Sequence, residues 1–324
     1  MSSQTNALVK AGGNPAIRLL DERVKEQFLT SYGNQKTKSA YNHSLGQFRN
    51  WLGSLPDDYK SINLLSDFRS HLYSRLNSPD SRDRLSEYSV SLYIAVIKKY
   101  ARFLYQNGLV EFDPGAAVKG FRRNSSHNRR ALDRNIEVPK LLDTIEQNSL
   151  IGIRDYAMIT LLVYTGLRGF ELVSADYGDL DSIEGRTILW VRSKAKLGKS
   201  EYVFVTETPL KALSTYLGHR KGLNSGSPLF VTSDDDSEKR LSTRTLRDRV
   251  DYWLKKAGLK GARVTTHSLR HTAAIAALKN GADIRAVQGM LRHSDPKTTM
   301  VYLQDISRQD KPAEDAIRFG PNGA

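Results

Sequence analysis

Tyr302 stands nine residues after His293, and both follow the segment His267-Ser268-Leu269-Arg270. Further upstream, Arg168 and Glu171 lie three apart within Thr165-Gly166-Leu167-Arg168-Gly169-Phe170-Glu171-Leu172. Tyrosine is a poor nucleophile near neutral pH, because a phenol ionises near about 10. Its proton must be taken or its developing charge stabilised. A phosphodiester adds a second difficulty, since its own negative charge repels an attacking oxyanion. Without a metal, that phosphate has to be surrounded by fixed cations and hydrogen-bond donors. Arginine suits the task, because its planar fork contacts two phosphate oxygens and keeps its charge. A chain of net charge +14 with these residues in order has the parts to cut a DNA phosphodiester through a covalent tyrosyl intermediate.

The elements around these residues must bring them together. A helix is predicted over 267–279, on which His267 and Arg270 share a face, and Thr265 or Thr266 can cap it. Residues 283–291 read as a short helix with Ile284, Val287 and Leu291 inward, and His293 comes at its end. Asp295-Pro296 then offers an N-cap followed by proline at the first helical position. Tyr302 falls on that next helix, so a tight turn brings it close to His293. Arg168 and Glu171 come just after a break at Gly166, where Glu171 can hold a neighbouring side chain in place. Each residue alone has a plainer reading: a lone tyrosine at a helix end is usually core or surface, and a lone His-x-x-Arg is usually a solvated face. His267 and His271 have the spacing of a metal pair, but the metalloprotease pattern needs Glu where Ser268 stands. No metal is expected. The order and spacing of the whole set carry the functional reading.

Before residue 120 the pattern is helical throughout. Tyr41, Leu45, Phe48 and Leu52 recur at helical intervals over 37–52. Helices are also predicted over 61–76 and over 89–105, the latter stopped by Asn107-Gly108. The stretch 119–130 is basic and poor in core residues, and reads as a linker. Beyond it the pattern is mixed. An apolar helix is expected over 151–164, strands over 187–191 and 202–205, a lysine-rich hairpin tip over 193–199, and helices over 209–217 and 242–257. This gives a flexible leader over 1–17, an all-helical domain over 18–118, a basic linker over 119–134, a mostly helical α+β domain with a small antiparallel sheet over 135–305, and a tail over 306–324.

Composition sets the outer limits. The 324 residues are enough for two domains, each with its own core, and 39% of them are hydrophobic. No apolar run reaches the roughly 18 residues of a membrane span, and the start, Met1-Ser2-Ser3-Gln4-Thr5-Asn6, lacks the apolar core of a secretory signal. The absence of cysteine excludes disulfides, thiolate zinc sites and a cysteine nucleophile, and fits a reducing cytosol. The basic charge points to a polyanion whose counterions the lysines and arginines displace, although a solvated basic surface would give the same composition.

At these residues the sequence resembles the tyrosine recombinase (phage integrase) family. Residues 165–172 resemble its first arginine box, and Thr266-His267-Ser268-Leu269-Arg270-His271-Thr272-Ala273 its His-x-x-Arg box. Leu291-Arg292-His293-Ser294 and Thr298-Thr299-Met300-Val301-Tyr302 resemble its terminal boxes. The likeness covers most of 130–305, and the size is similar to the simple two-domain members of the Cre and Xer type. The resemblance implies that Tyr302 attacks the scissile phosphate to form a 3′-phosphotyrosyl bond and release a 5′-hydroxyl. It further implies that Arg168, Arg270 and His293 stabilise the transition state, that His267 manages the nucleophile's proton, and that a hairpin lysine protonates the leaving oxygen. Lys194 is the choice, with Lys196 and Lys199 open, because Ser193-Lys194-Ala195-Lys196-Leu197-Gly198-Lys199 departs from the family's Gly-Lys-Gly pattern. No metal, ATP or other cofactor is implied.

The resemblance also implies a core-binding domain and a catalytic domain that grasp opposite faces of a DNA duplex, with no membrane involved and a cytoplasmic, nucleoid-associated location. Candidate DNA contacts are Lys36, Lys38, Tyr41, His43, Lys98, Lys99 and Arg102 in the first domain. Arg122, Arg123, Arg129 and Arg130 are candidates in the linker, and Arg244 and Arg247 in the second domain. Paired inverted-repeat-like sites, a homotetramer on two DNA sites and a Holliday junction follow from the same likeness. A tail docking on a neighbouring protomer, with Ile317 and Phe319 as anchors, belongs with them. Two readings compete: a type IB topoisomerase, which reseals the same strand, and a DNA-binding protein whose catalytic set is vestigial.

Overall fold

Short polar side chains start the helices of the first part. Asp21, Asn34, Asn63 and Ser86 each accept a hydrogen bond from backbone N–H groups of the following turn, which satisfies donors that a helix start leaves open. They open α1 (Glu22–Thr30), α2 (Gln35–Gly53), α3 (Leu64–Ser74) and α4 (Glu87–Gln106). The structure, a computed structural model, describes residues 21–304 apart from 57, 62, 122–129, 193–197, 233–238 and 294. The chain divides into two compact units between residues 124 and 125.

In the first unit, Phe28, Leu45, Phe48, Trp51, Phe68, Leu72, Ile97 and Tyr100 form one core. The helix expected over 61–76 is shorter, because Asn63 caps it at Leu64 and the chain tightens into a 3₁₀ turn over Arg75–Asn77. Phe121, at the start of the segment read as a linker, packs on this core and meets Tyr73 edge-on at 5.2 Å.

The second unit is built on α6 (Leu150–Thr165), which is buried on almost all sides. Such a helix shows little amphipathic periodicity and must sit at the centre of its layer. Around it lie α5 (Glu137–Thr144), α7 (Gly169–Val173), α8 (Glu207–Gly218), α9 (Thr243–Lys256), α10 (Thr266–Lys279), α11 (Ile284–Leu291) and α12 (Pro296–Gln304). Strands β1 (Leu180–Ile183), β2 (Arg186–Arg192) and β3 (Lys199–Phe204) form an antiparallel sheet in that order. Its inward residues Leu189, Val191 and Val203 join the core. β1 escapes sequence reading because Leu-Asp-Ser-Ile is short and half polar. Its turn, Glu184-Gly185, takes φ of 50° and 75°, the paired left-handed conformation of a two-residue hairpin. Among the described residues, no helix is long and apolar enough to cross a membrane.

A buried ionic knot ties this unit together. Asp155 is fully buried and accepts from Arg154 Nη2 at 2.8 Å, Arg249 Nε at 2.6 Å and Trp253 Nε1 at 2.8 Å. Arg154 Nη1 in turn donates to the carbonyls of Val231 at 3.0 Å and Thr232 at 2.7 Å. Replacing Asp155 by alanine strands the buried Arg154 cation, and is expected to cost about 3–5 kcal/mol. Urea denaturation of both proteins measures it as a lower midpoint for the variant.

Candidate active site

The break after α6 sets the first arginine. Gly166 closes that helix at φ 63°, and a Cβ there would come within 2.9 Å of Leu291 Cδ2. Glycine is required both by the left-handed turn and by the close approach of α11. The chain then runs extended through Arg168 into α7. Glu171, one turn on and 1% exposed, reaches back: its carboxylate accepts from Arg168 N–H at 2.7 Å and Arg168 Nη1 at 2.6 Å. Glu171 thus touches Arg168 at both its backbone and its side chain.

Arg270 comes from α10. Thr265, one of the two expected caps, occupies the N-cap position of a capping box, in which its own N–H donates to Ser268 Oγ at 3.1 Å. Arg270 is 1% exposed. Nη1 donates to Gly166 O at 2.5 Å and lies 3.9 Å from Glu171 Oε2, while Nη2 donates to Leu291 O. Burial, and then the Arg168 charge, bring its pKa down to about 10, so it remains a cation at neutral pH. Burial pulls the Glu171 carboxyl upward, but the charge and hydrogen bond of Arg292 and the contacts of Arg168 outweigh it and leave the pKa below the ordinary range.

His293 follows α11 through a turn closed by its N–H on Gln288 O at 3.2 Å and by Gln288 Nε2 on its own carbonyl at 3.1 Å. Its Nδ1 is 2.9 Å from Thr299 Oγ1 on α12. Burial first, then the charges of Arg270, Arg168, Arg292 and His267, lower its pKa to about 4. The imidazole is therefore neutral at pH 7. Its ring lies parallel to that of Tyr302, 6.2 Å between centroids, and His271 meets the same tyrosine edge-on at 4.7 Å. Tyr302 is 3% exposed and sits in a small core with Ala274, Leu278, Val287 and Leu291.

The structure thus brings Arg168, Glu171, Arg270, His293 and Tyr302 together. His267 is exposed at the start of α10 and close enough to bear on the charge of His293. Lys194 and Lys196 lie outside the described residues. Lys199, the third choice, is bound to Asp176 at 2.5 Å and to Asp179, an anchor at the base of the hairpin. Sequence reading missed Arg292, Thr299 and the packing role of His271. In the sequence Arg292 is simply the neighbour of His293, and arginine is not an expected residue at a left-handed helix end.

The candidate DNA contacts divide. Lys36, His43, Lys99, Arg102, Arg244 and Arg247 are exposed, and Lys38 and Tyr41 partly so. Lys99 Nζ donates to Tyr41 Oη at 3.0 Å, and His43 Nε2 is 3.1 Å from Tyr93 Oη. Two others are engaged inside their own units. Lys98 Nζ donates to Val118 O. Arg130 forks onto Glu137 at 2.6 and 2.8 Å, and its N–H donates to Arg263 O at 3.1 Å. Arg122, Arg123 and Arg129 lie outside the described residues.

Residues 133–308 match the family model described as "Phage integrase family". The chain belongs to the tyrosine recombinases of this family. Tyrosine recombinase XerC of Shewanella sp. (strain ANA-3) is 30% identical over 282 residues, covering 86% of this chain and 89% of that protein. Among solved structures, XerH site-specific recombinase bound to palindromic difH substrate, in a post-cleavage complex, shares the fold with a TM-score of 0.71 at 17% identity, over 96% of this chain and 90% of that one. A lambda integrase tetramer bound to a Holliday junction shares it with a TM-score of 0.64 at 18% identity, over 86% and 77%. The mostly helical architecture with a small antiparallel sheet is the one expected for a recombinase of this family.

Proposed function

We propose that this recombinase cuts and rejoins DNA at specific sites through Tyr302, without metal or nucleotide. The Tyr302 oxygen bonds to the scissile phosphorus as the bond from phosphorus to the 5′-oxygen breaks, leaving a 3′-phosphotyrosyl link and a 5′-hydroxyl. The tyrosine proton passes toward His267, and the 5′-oxygen takes one from a hairpin lysine, with Lys194 as our choice. Arg168, Arg270 and neutral His293 stabilise the charge that develops on the phosphate oxygens. A 5′-hydroxyl from a second duplex reverses the step. Exchange of one strand pair gives a Holliday junction, and exchange of the second resolves it. The observation that carries this reading is the convergence of Arg168, Arg270, His293 and Tyr302 on the end of α11.

The lambda integrase tetramer on a Holliday junction supports a homotetramer acting on two paired sites. The exposed Lys36, Arg102, Arg244 and Arg247 and the partly exposed Lys38 are the side chains best placed to meet phosphates, whereas Lys98 and Arg130 act first in holding their own units. The tail proposed to dock on a neighbouring protomer lies outside the described residues.

Nicked duplexes drawn from the DNA that flanks the gene test the proposal, because a nick lets the short 5′-hydroxyl strand diffuse away and traps the covalent state. The expected result is a protein–DNA adduct on a denaturing gel. Tight binding with no adduct on any flanking fragment overturns the reading and favours a DNA-binding protein with a vestigial site.

A further inference from the structure

Three consecutive carbonyls close α11, and each accepts from a different arginine. Met290 O takes Arg292 Nη1 at 2.5 Å, Leu291 O takes Arg270 Nη2, and Arg292 O takes Arg168 Nη2 at 3.5 Å. The last carbonyls of a helix have no partners within it and form the negative end of its dipole, so this end suits cations. The same three guanidiniums surround one buried carboxylate. Glu171 lies 2.6 Å from Arg168, 2.6 Å from Arg292 and 3.9 Å from Arg270.

Arg292 is the odd member. It adopts φ 53°, a left-handed conformation that glycine takes without steric cost and arginine does not. Its side chain is 3% exposed. Nε, Nη1 and Nη2 each have a protein acceptor: Glu171 Oε1 at 3.4 Å, Met290 O at 2.5 Å and Glu171 Oε2 at 2.6 Å. With every nitrogen engaged by protein, this guanidinium is spent on the Glu171 carboxylate and the end of α11. Arg168, by contrast, is partly exposed.

We propose that Arg292 is a positioning residue for strand cleavage: it compensates the Glu171 carboxylate from the buried side, so that Arg168 keeps a free edge for the phosphate. The inference rests on the function proposed above. Without Arg292, Glu171 would keep Arg168 at 2.6 Å and, farther off at 3.9 Å, an Arg270 whose two terminal nitrogens are already held by backbone carbonyls. The carboxylate would then compete with the incoming phosphate for the Arg168 guanidinium. With Arg292 in place, one buried charge answers another, and Arg168 is aimed by the carboxylate without being consumed by it. The left-handed backbone at Arg292 also points its own carbonyl at Arg168, so a single residue orients that arginine twice.

Arg292→Gly separates the two contributions, since glycine accepts the left-handed backbone and removes only the guanidinium. Two readouts apply. The first is NMR titration of the His293 imidazole in DNA-free protein. Arg292 is one of the cations that lower this pKa, so the variant should titrate at higher pH than the wild type. The second is single-turnover cleavage of a nicked duplex that wild type cleaves. The variant should be slower by about tenfold to a hundredfold, the scale of a misaimed catalytic group, with DNA affinity unchanged. Glu171→Gln combined with Arg292→Gly should recover part of the loss, because the carboxylate that needed an answering charge is gone. Arg292→Lys, which keeps the charge but not the fork, should fall between wild type and Arg292→Gly, and serves if the glycine variant fails to fold. Wild-type cleavage rate together with unchanged His293 titration in Arg292→Gly overturns the inference. A wild type that forms no adduct overturns the proposed function instead, and that failure appears in a different protein of the set.

Discussion

Tyr302→Phe is expected to abolish the covalent protein–DNA adduct while leaving the fold and DNA binding in place. The variant removes one oxygen from a ring that is otherwise held by packing. The ring stays between His271 and His293 and within the small core of α10, α11 and α12. Loss of a single hydroxyl changes stability by about 1 kcal/mol, too little to unfold the unit. The rate effect is of another order. No other atom of residue 302 can form the phosphoester, so cleavage should fall to background. Denaturing gels of wild type and variant on the same nicked duplex measure this, with a native gel shift to confirm equal binding. An adduct that persists in the variant would mean that a different side chain is the nucleophile.

Arg270→Ala should be nearly as damaging to the chemistry, and more damaging to the structure. In the reaction proposed here the guanidinium stabilises charge on the phosphate oxygens in a site of low polarity. Losing such a preorganised donor costs about 3–4 kcal/mol in the transition state, a few hundredfold to a thousandfold in rate. The same side chain joins two breaks in the chain, through Gly166 O and Leu291 O. Truncation leaves both carbonyls facing a cavity, at about 1–3 kcal/mol for each buried group left unpaired. Single-turnover cleavage and thermal melting together separate the two losses. Arg270→Lys distinguishes charge from shape. An ammonium keeps the positive charge but lacks the planar fork that reaches two carbonyls at once. We expect Arg270→Lys to melt closer to wild type than the alanine variant and still to cleave poorly. Wild-type cleavage by Arg270→Ala would remove it from the site.

The parts of the site that were legible in the sequence are those whose local spacing already implies geometry. Gly166 after an apolar helix, His267 and Arg270 one turn apart, and Asp295-Pro296 before Tyr302 each describe a short stretch of backbone, and the structure forms those stretches. Residues that act across the chain were not legible. Arg292 reads as an exposed arginine after a short helix, since its partner Glu171 is 121 residues away. Thr299 reads as one of two adjacent threonines, and only the turn between α11 and α12 sets it beside His293. The same limit applies to charge. Lys98, Lys199 and Arg130 count toward a basic surface in composition, yet each is bound to an acceptor in its own unit. In the fold, β1 went unread because its four residues alternate too weakly to signal a strand. α3 starts late because a cap outweighs the hydrophobic pattern that precedes it.

The packing of Tyr302 has a kinetic consequence. In the reaction proposed here, a ring 3% exposed must present its oxygen to an external phosphate, so we expect α12 to change position before attack. The observed cleavage rate is then the intrinsic rate multiplied by the fraction of molecules in which the helix has moved. Every ~1.4 kcal/mol by which the resting arrangement is favoured lowers that fraction tenfold. Substitutions that loosen the contacts with Ala274, Leu278 or Val287 therefore trade stability for speed. Any contact that α12 makes only after release acts as an activator without touching the reacting atoms. On this expectation, whatever stabilises the rarer conformer would raise the cutting rate in proportion to its population.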